Sequence, residues 1–461
     1  MNRIYLDYAA STLVDPRVER AMRPYFLEKF GNPGSLHSFG QEAIAAVDES
    51  RETIAKAIGA DFREVIFTGS ATEANNLALR GAVKSIKYQI SSIKRPRIIV
   101  SAIEHESVLE TARDLECDGV EVVYLPVDLR GIVDLKKLKE SLNERTVLVS
   151  IMYANNEIGV VQPIAEISDI IRNFRVRNVV DVENVVMNKR AEVSDRTIRT
   201  TRTLYPLLHT DAAQAFQFLD CDVNRLGVDP VRSRLAESTA TTAPGRSASN
   251  GVDLMTLSAH KIYGPKGIGA LYVSQQIANR KSQINKRHAL GALPLAPLTT
   301  GGGQEFGLRS GTESVPLIVG FAKAVELISN FRQRRTGALA RHGREFWNKR
   351  IGDLRDHLWR KLKKITPAVE LNGDLQNSLP NILSVYFPNY LAEELLTKFD
   401  LAGLAASSGS ACRSRAMESS YVIEALGYSK ERAKKSIRFS FGRPTTKGEI
   451  EKTLRIMRTC F

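Results

Sequence analysis

The stretch Ser258-Ala259-His260-Lys261-Ile262-Tyr263-Gly264-Pro265-Lys266-Gly267 constrains this chain more than any other. It lies between the apolar runs 252–257 and 269–273 and reads as strand, polar turn, strand. A lysine held in such a turn, with Ser258 and His260 beside it, offers an amine that can add to an aldehyde together with donors for a phosphate. A solvated lysine in a surface turn is the plainer reading of the same residues. What else the chain holds decides between the two.

At 461 residues, 43% hydrophobic and 25% charged, the chain can bury one or two sizeable cores. No apolar run approaches the ~18 residues of a membrane span, and the N-terminus enters Ile4-Tyr5-Leu6 without a signal or transit segment. A cytoplasmic protein with no membrane contact is expected. Cys117, Cys221, Cys412 and Cys460 are scattered without metal-ligand spacing, so neither a disulfide framework nor a metal site is expected, and one reactive thiol is. The net charge of +14 speaks to solubility and nonspecific association, and no direct nucleic-acid contact is expected from it.

Residues 65–76 read as a strand, a small-residue turn (Gly69-Ser70) and a helix start. Backbone amides at Ala71 and the Thr72 hydroxyl would face an anion there, with the helix dipole behind them, unless the turn is an ordinary capped helix. Further strand ends carry Glu104-His105-Glu106-Ser107, Asn155-Asn156-Glu157 and Asp211-Ala212-Ala213-Gln214. Taken singly, these are a polar loop, an Asn-rich turn and a helix cap. In the string 407–415, Cys412 sits among small residues beside Arg413 and Arg415, a setting that favours the thiolate over a reference pKa of about 8.5. The other three cysteines read as inert.

Taken together and in this order, the Lys261 string, the 69–76 turn, the Glu104-His105 and Asn155-Asn156 pairs, the Asp211 segment, the loop 301–312 and the string Ser407 to Cys412 resemble the NifS/IscS-like cysteine desulfurases. These belong to the class V aminotransferase family of fold type I pyridoxal phosphate enzymes. The resemblance runs over nearly the whole chain and thins at the C-terminus, where related housekeeping enzymes often continue into a tail that docks the iron-sulfur scaffold.

The resemblance implies an α/β aminotransferase-like fold. A large domain, residues 16–330, would hold a mixed, mostly parallel seven-stranded sheet between helices, and 1–15 with 331–461 would form a smaller α/β domain carrying the cysteine loop. It implies pyridoxal 5'-phosphate bound covalently by Lys261, with Ala71, Thr72, Ser258, His260 and the neighbouring subunit's copy of Thr312 around the phosphate, hence a homodimer. His105 would stack on the ring and exchange protons, Asn156 and Gln214 would reach the phenolic oxygen, and Asp211 would pair with the ring nitrogen. Arg438, with Asn156, would hold the carboxylate of L-cysteine, and Cys412, on a mobile loop, would take the sulfur as a persulfide. The acceptor would be an iron-sulfur scaffold or a tRNA-thiolation enzyme. Selenocysteine lyase, sharing fold and motifs, and a catalytically idle scaffold for sulfur carriers are the alternatives.

Three stretches interrupt the pattern. Residues 175–203 are polar and basic after a helix expected to end at Phe174, with a strand resuming over 204–209. Residues 230–250, rich in Ser, Thr, Ala and Arg, lie between two copies of one tripeptide, Gly227-Val228-Asp229 and Gly251-Val252-Asp253. Residues 275–287 lengthen the loop before 301. All three are expected to be surface insertions without cores of their own.

Overall fold

A computed structural model describes residues 3–89, 95–187, 205–226, 251–274, 295–333, 342–409 and 419–461. The principal sheet has seven strands: β2 (Val65–Thr68), β3 (Arg97–Ser101), β4 (Glu121–Leu125), β5 (Thr146–Ser150), β6 (Leu207–Asp211), β7 (Leu254–Ser258) and β8 (Gly269–Val273). Their spatial order is β2-β8-β7-β6-β5-β3-β4, and β8 alone runs antiparallel to its neighbours. Strands β2, β5, β6, β7 and β8 are buried at every residue, which is why they read as apolar runs and not as an alternation. Helices cover both faces, among them Ser38–Ala57, Ala71–Gln89, Glu106–Cys117 and Val315–Gln333. Each fully buried Leu, Ile or Val contributes roughly 1.5–3 kcal/mol to this packing.

The C-terminal third adds a three-stranded antiparallel sheet, β9 (Glu370–Leu371), β10 (Ile382–Tyr386) and β12 (Ser436–Ser440), with β10 in the middle. The chain's first strand, β1 (Ile4–Tyr5), pairs in parallel with β11 (Leu404–Ala405). The N-terminus is thereby carried to the C-terminal third, and Asp7 bridges Ser440 directly after. One contiguous core runs from Ile4 and Leu6 through Val149 and Leu257 to Phe439 and Phe441.

Three local expectations are corrected. The helix begun at Ile164 continues past Phe174 to Met187, so residues 175–187 are helical and not loop. Val176, Val179, Val182 and Val186 recur three or four residues apart with no Gly or Pro among them, a helical period hidden by the surrounding charge. Residues 188–203 of that interruption, and all of 230–250 and 275–287, lie outside the described residues. The next strand begins at Leu207, since Pro206 has no amide hydrogen to give a ladder. The stretch 16–30, which reads in the sequence as one helical stretch, is instead two helices, Pro16–Met22 and Pro24–Leu27, because Pro24 removes an intrahelical donor.

Candidate active site

In open α/β sheets the carboxyl ends of parallel strands are where ligands bind, since loops there converge on a crevice with helix N-termini behind it. Here Ser70 follows β2, His105 follows β3, Asn156 follows β5, Asp211 closes β6, and Ser258 closes β7 just before Lys261. These residues, with Ala71, Thr72, Gln214, His260, Gly409, Tyr421 and Arg438, line one cavity of about 270 Å³.

Lys261 Nζ donates to the carbonyls of Ala9 (2.6 Å) and Ala10 (2.8 Å). The segment 7–12 thus straps the lysine turn, and Thr12 Oγ1 donates to His260 O at 2.9 Å while accepting from Tyr263 N at 2.8 Å. Asp211, nearly buried, accepts from Ala213 N (2.9 Å) on one oxygen and from Asn75 Nδ2 (2.8 Å) on the other. Asn75 also donates to Ser107 Oγ, so the helix Ala71–Gln89 aims the carboxylate. Beneath it, fully buried His209 lies between Ser150 Oγ and Thr256 Oγ1, and burial drives its pKa down to about 4.

His105 caps the helix Glu106–Cys117: its Nδ1 accepts from Ser107 N at 3.1 Å, which leaves Nε2 for the cavity. Burial holds its pKa below the usual imidazole value, Asp211 opposes that, and Lys261 reinforces it. Burial, with Lys261 and Lys266, pushes His260 down to about 4. Both rings are neutral at pH 7. Glu104 is fully buried with its pKa raised well above the carboxylate range by burial; its Oε1 accepts from Met152 N at 2.6 Å.

At the helix Ala71–Gln89, Ser70 Oγ accepts from Glu73 N at 3.1 Å, and Glu73 reaches back to Gly69 N at 2.6 Å and across to Arg309 at 2.9 Å. The Gly69-Ser70 order therefore builds a capped turn. That turn lies against β8, where a side chain on Gly269 would sit 2.6 Å from the Ser70 carbonyl carbon and 2.8 Å from Ala71 N. Gln214 donates to Ala9 O at 2.9 Å, so serving as donor to a ligand requires exchanging that bond. Thr312 is exposed and lies outside the cavity, along a groove with Tyr25, Phe30 and Pro33. Cys412 lies outside the described residues, as does most of the loop expected to be mobile.

Arg438 is 2% exposed and projects from β12. Its Nη1 donates to Asn156 O (2.8 Å) and Gly409 O (3.1 Å), and its Nη2 to Asp7 (2.7 Å). Its Nε, Ser258 Oγ and Asn156 Oδ1 are buried without a hydrogen-bond partner among the described residues. Unsatisfied polar atoms are costly in a buried position, and three on residues lining one cavity fit a polar ligand. A primary amine, a buried carboxylate, a capped helix N-terminus and these orphan atoms suit pyridoxal phosphate. Among the described residues no His, Cys, Asp and Glu are grouped to hold a metal ion.

Asn75 and Glu157 were not among the expected site residues; Asp7-Tyr8-Ala9-Ala10 resembles the family segment that lines the substrate pocket, but its bonds to Lys261 and Arg438 were not expected. Asn75 stood within the quoted turn string, three residues after Thr72, at the spacing that puts it one helical turn further on.

The aminotransferase class-V model matches residues 4–201 and 238–453; Asp211 and Gln214 fall between the two parts. The cysteine desulfurase IscS of Dictyoglomus turgidum is 38% identical over 98% of this chain and 93% of its own length. A mitosomal cysteine desulfurase of Trachipleistophora hominis is 40% identical over 98% of this chain and 85% of its own. A solved NifS-like protein superposes with a TM-score of 0.75 at 30% identity, covering 99% of this chain and 98% of that one. Strand order, the convergence of residues on the carboxyl edge and these likenesses agree: the chain belongs to the aminotransferase class-V family, among relatives named cysteine desulfurases.

Proposed function

We propose that this chain is a pyridoxal phosphate-dependent cysteine desulfurase, which converts L-cysteine to L-alanine and keeps the sulfur as a persulfide on Cys412. The observation that carries the proposal is the convergence of Lys261, Asp211, His105 and Arg438 on one cavity, in a chain 38% identical to a cysteine desulfurase over 98% of its length. When bound, the cofactor supplies a carbonyl for the substrate amine and a sink for electrons released at its α-carbon.

Lys261 holds the cofactor and then takes and returns protons on the substrate carbons; the Ala9 and Ala10 carbonyls orient its Nζ. Asp211 supplies the buried negative charge for a protonated ring nitrogen, with Asn75 fixing its direction. Ala71, Thr72, Ser258 and His260 line the cavity and would hold the phosphate, with the positive end of the helix Ala71–Gln89 favouring its charge. Asn156 and Gln214 serve the phenolic oxygen. His105 offers Nε2 for proton exchange, its neutral state at pH 7 leaving it able to accept.

Arg438 takes the substrate carboxylate, its unpaired Nε and its Nη2 making the two prongs while Asp7 yields. The Cys412 thiolate then attacks the substrate sulfur. The carbon–sulfur bond breaks, its electron pair stays on the β-carbon and is protonated there, and a sulfur–sulfur bond forms on the enzyme. The persulfide sulfur passes to an acceptor protein, an iron-sulfur scaffold or a tRNA-thiolation enzyme.

A homodimer accords with this reading. Leu27, Phe30 and Leu36 are 80%, 67% and 93% exposed, Phe30 contacts Phe39, and Thr312 shares the Phe30 groove. Large apolar side chains so exposed accord with a covered face between two copies. In such a dimer Thr312 would reach toward the phosphate held by the other copy. Residues 1–15 with 331–461 make the smaller domain in this scheme. The purified chain, loaded with cofactor and given L-cysteine and a reducing thiol, yields equal amounts of alanine and sulfide. Alanine from selenocysteine alone would move the assignment to a selenocysteine lyase, and alanine from neither would leave only a binding scaffold.

A further inference from the structure

Arg438 is a cation taken out of water, 2% exposed on a strand buried at every residue, and the Asp7 carboxylate neutralises it, Nη2 to Oδ1 at 2.7 Å. A buried charge left without a partner is costly, so the free protein needs a carboxylate at this fork. A substrate carboxylate needs the same place.

The partners of Arg438 divide by kind. Nη1 donates to two main-chain carbonyls, Asn156 O at 2.8 Å and Gly409 O at 3.1 Å, and these fix the plane of the guanidinium without help from Asp7. Nε, buried and without a hydrogen-bond partner, and Nη2, bonded to Asp7, form the remaining edge. The Asp7 backbone is stitched down: it bridges Ser440, Tyr8 N donates to Ser440 O at 3.3 Å, and Ala10 N donates to Asp7 O at 3.0 Å. Its side chain, by contrast, is 17% exposed. The carboxylate can therefore turn toward water while the strap and Arg438 stay where they are.

We propose that Asp7 is an affinity-setting residue: it occupies the Arg438 fork as an internal carboxylate, which a substrate carboxylate must displace in order to bind. The proposal rests on the reading of Arg438 as the carboxylate site. Asp7 holds one prong and the substrate takes two, so binding gains only the difference between the two sets of charge-assisted bonds. Without the Asp7 charge the incoming carboxylate meets an uncompensated cation, and the grip tightens. The same change makes the free protein less stable, because the buried guanidinium has lost its counter-ion. An aspartate that only aimed Arg438 would leave the opposite signature, a weaker grip once it is removed.

The test titrates L-alanine, and ethylamine, which lacks the carboxylate, into the cofactor-loaded full chain and follows the visible absorbance of the cofactor. Asp7→Asn binds L-alanine about tenfold more tightly than the unaltered chain does, and ethylamine equally well. Asp7→Glu, which keeps the charge, stays within about threefold of the unaltered chain for L-alanine. Without ligand, Asp7→Asn has the lower urea midpoint, and a fixed excess of L-alanine raises it by more than in the unaltered chain. Affinity for L-alanine that is unchanged or lower in Asp7→Asn overturns the proposal, as does an equal tightening of ethylamine. If Asp7→Asn is insoluble, Asp7→Ser decides by the same two titrations. An unaltered chain that binds L-alanine no better than ethylamine overturns the reading of Arg438 itself, and the proposal with it. No sulfur moves in either titration, so failure here is separable from failure of the desulfurase reading.

Discussion

The cavity has two walls built in different ways. One is the carboxyl edge of the seven-stranded sheet, where Asp211, Ser258, His105 and Lys261 each stand within a few residues of a strand end, Asp211 and His105 accepting from amides two residues on. The other is the C-terminal third, where the Arg438, Ser420 and Tyr421 side chains reach Asp7, Asn156 O, Glu157 and Glu104 O, remote in sequence, and Gly409 O accepts from Arg438. The first wall suits groups that must stay still around a cofactor. The second suits groups that must yield, since one side-chain bond can exchange for a bond to substrate without disturbing a strand.

Substitutions on the first wall should therefore abolish chemistry, and those on the second should change substrate grip. The largest effect is expected from Lys261→Ala, which loses the covalently bound cofactor, read from its visible absorbance, and lowers alanine formation by about 10⁴-fold. Exposed Lys266→Ala keeps both. Asp211→Asn keeps the fold but lowers kcat about 10²–10³-fold, because the fixed buried charge is gone. Equal activity in Asp211→Asn would break the account of the first wall.

On the second wall, Arg438→Lys raises KM for L-cysteine about 10–100-fold through loss of the fork, with a smaller change in kcat. A fall in kcat alone, at unchanged KM, would move Arg438 to the first wall's kind of task.

A smaller effect separates the walls by pH. His209 and His260, on the sheet side, are held near 4 by burial, against about 6.5 unfolded. Between those values the unfolded chain binds protons that the folded chain refuses, so their stabilisation is complete above about pH 6.5 and is lost as pH falls toward 4. For fully buried His209 this amounts to about 3 kcal/mol. Urea midpoints should fall from about pH 7 to about pH 4.5, and less steeply in His209→Gln. A midpoint indifferent to pH over that range would contradict the neutral imidazoles.

The first wall was legible in the sequence because its signal is local. A run of apolar residues ending in a polar group marks a strand end, as at Asp211 of β6 and Ser258 of β7, and the family resemblance then implies the roles of Asp211 and Lys261. The second wall was half legible: Arg438 could be named, but not its Asp7 partner or the Ser420 bond to Glu157, since nothing in a linear string records which distant carboxylate a side chain meets. The helix through Met187 escaped for another reason, its valine spacing being overridden by charge in the reading of 175–203. Pro24 is a visible break within 16–30, where one helix ends and the next begins.

The central claim is that both walls act on one sulfur atom, passed from substrate to Cys412. The direct measurement is mass spectrometry of the intact peptides after brief exposure of the cofactor-loaded chain to L-cysteine, without reductant. The account predicts one added sulfur on the Cys412 peptide, no added sulfur on Cys117, Cys221 or Cys460, and almost no alanine from Cys412→Ser although that variant keeps its cofactor. Persulfide on one of the other three cysteines, with Cys412→Ser turning over at the wild-type rate, would contradict it.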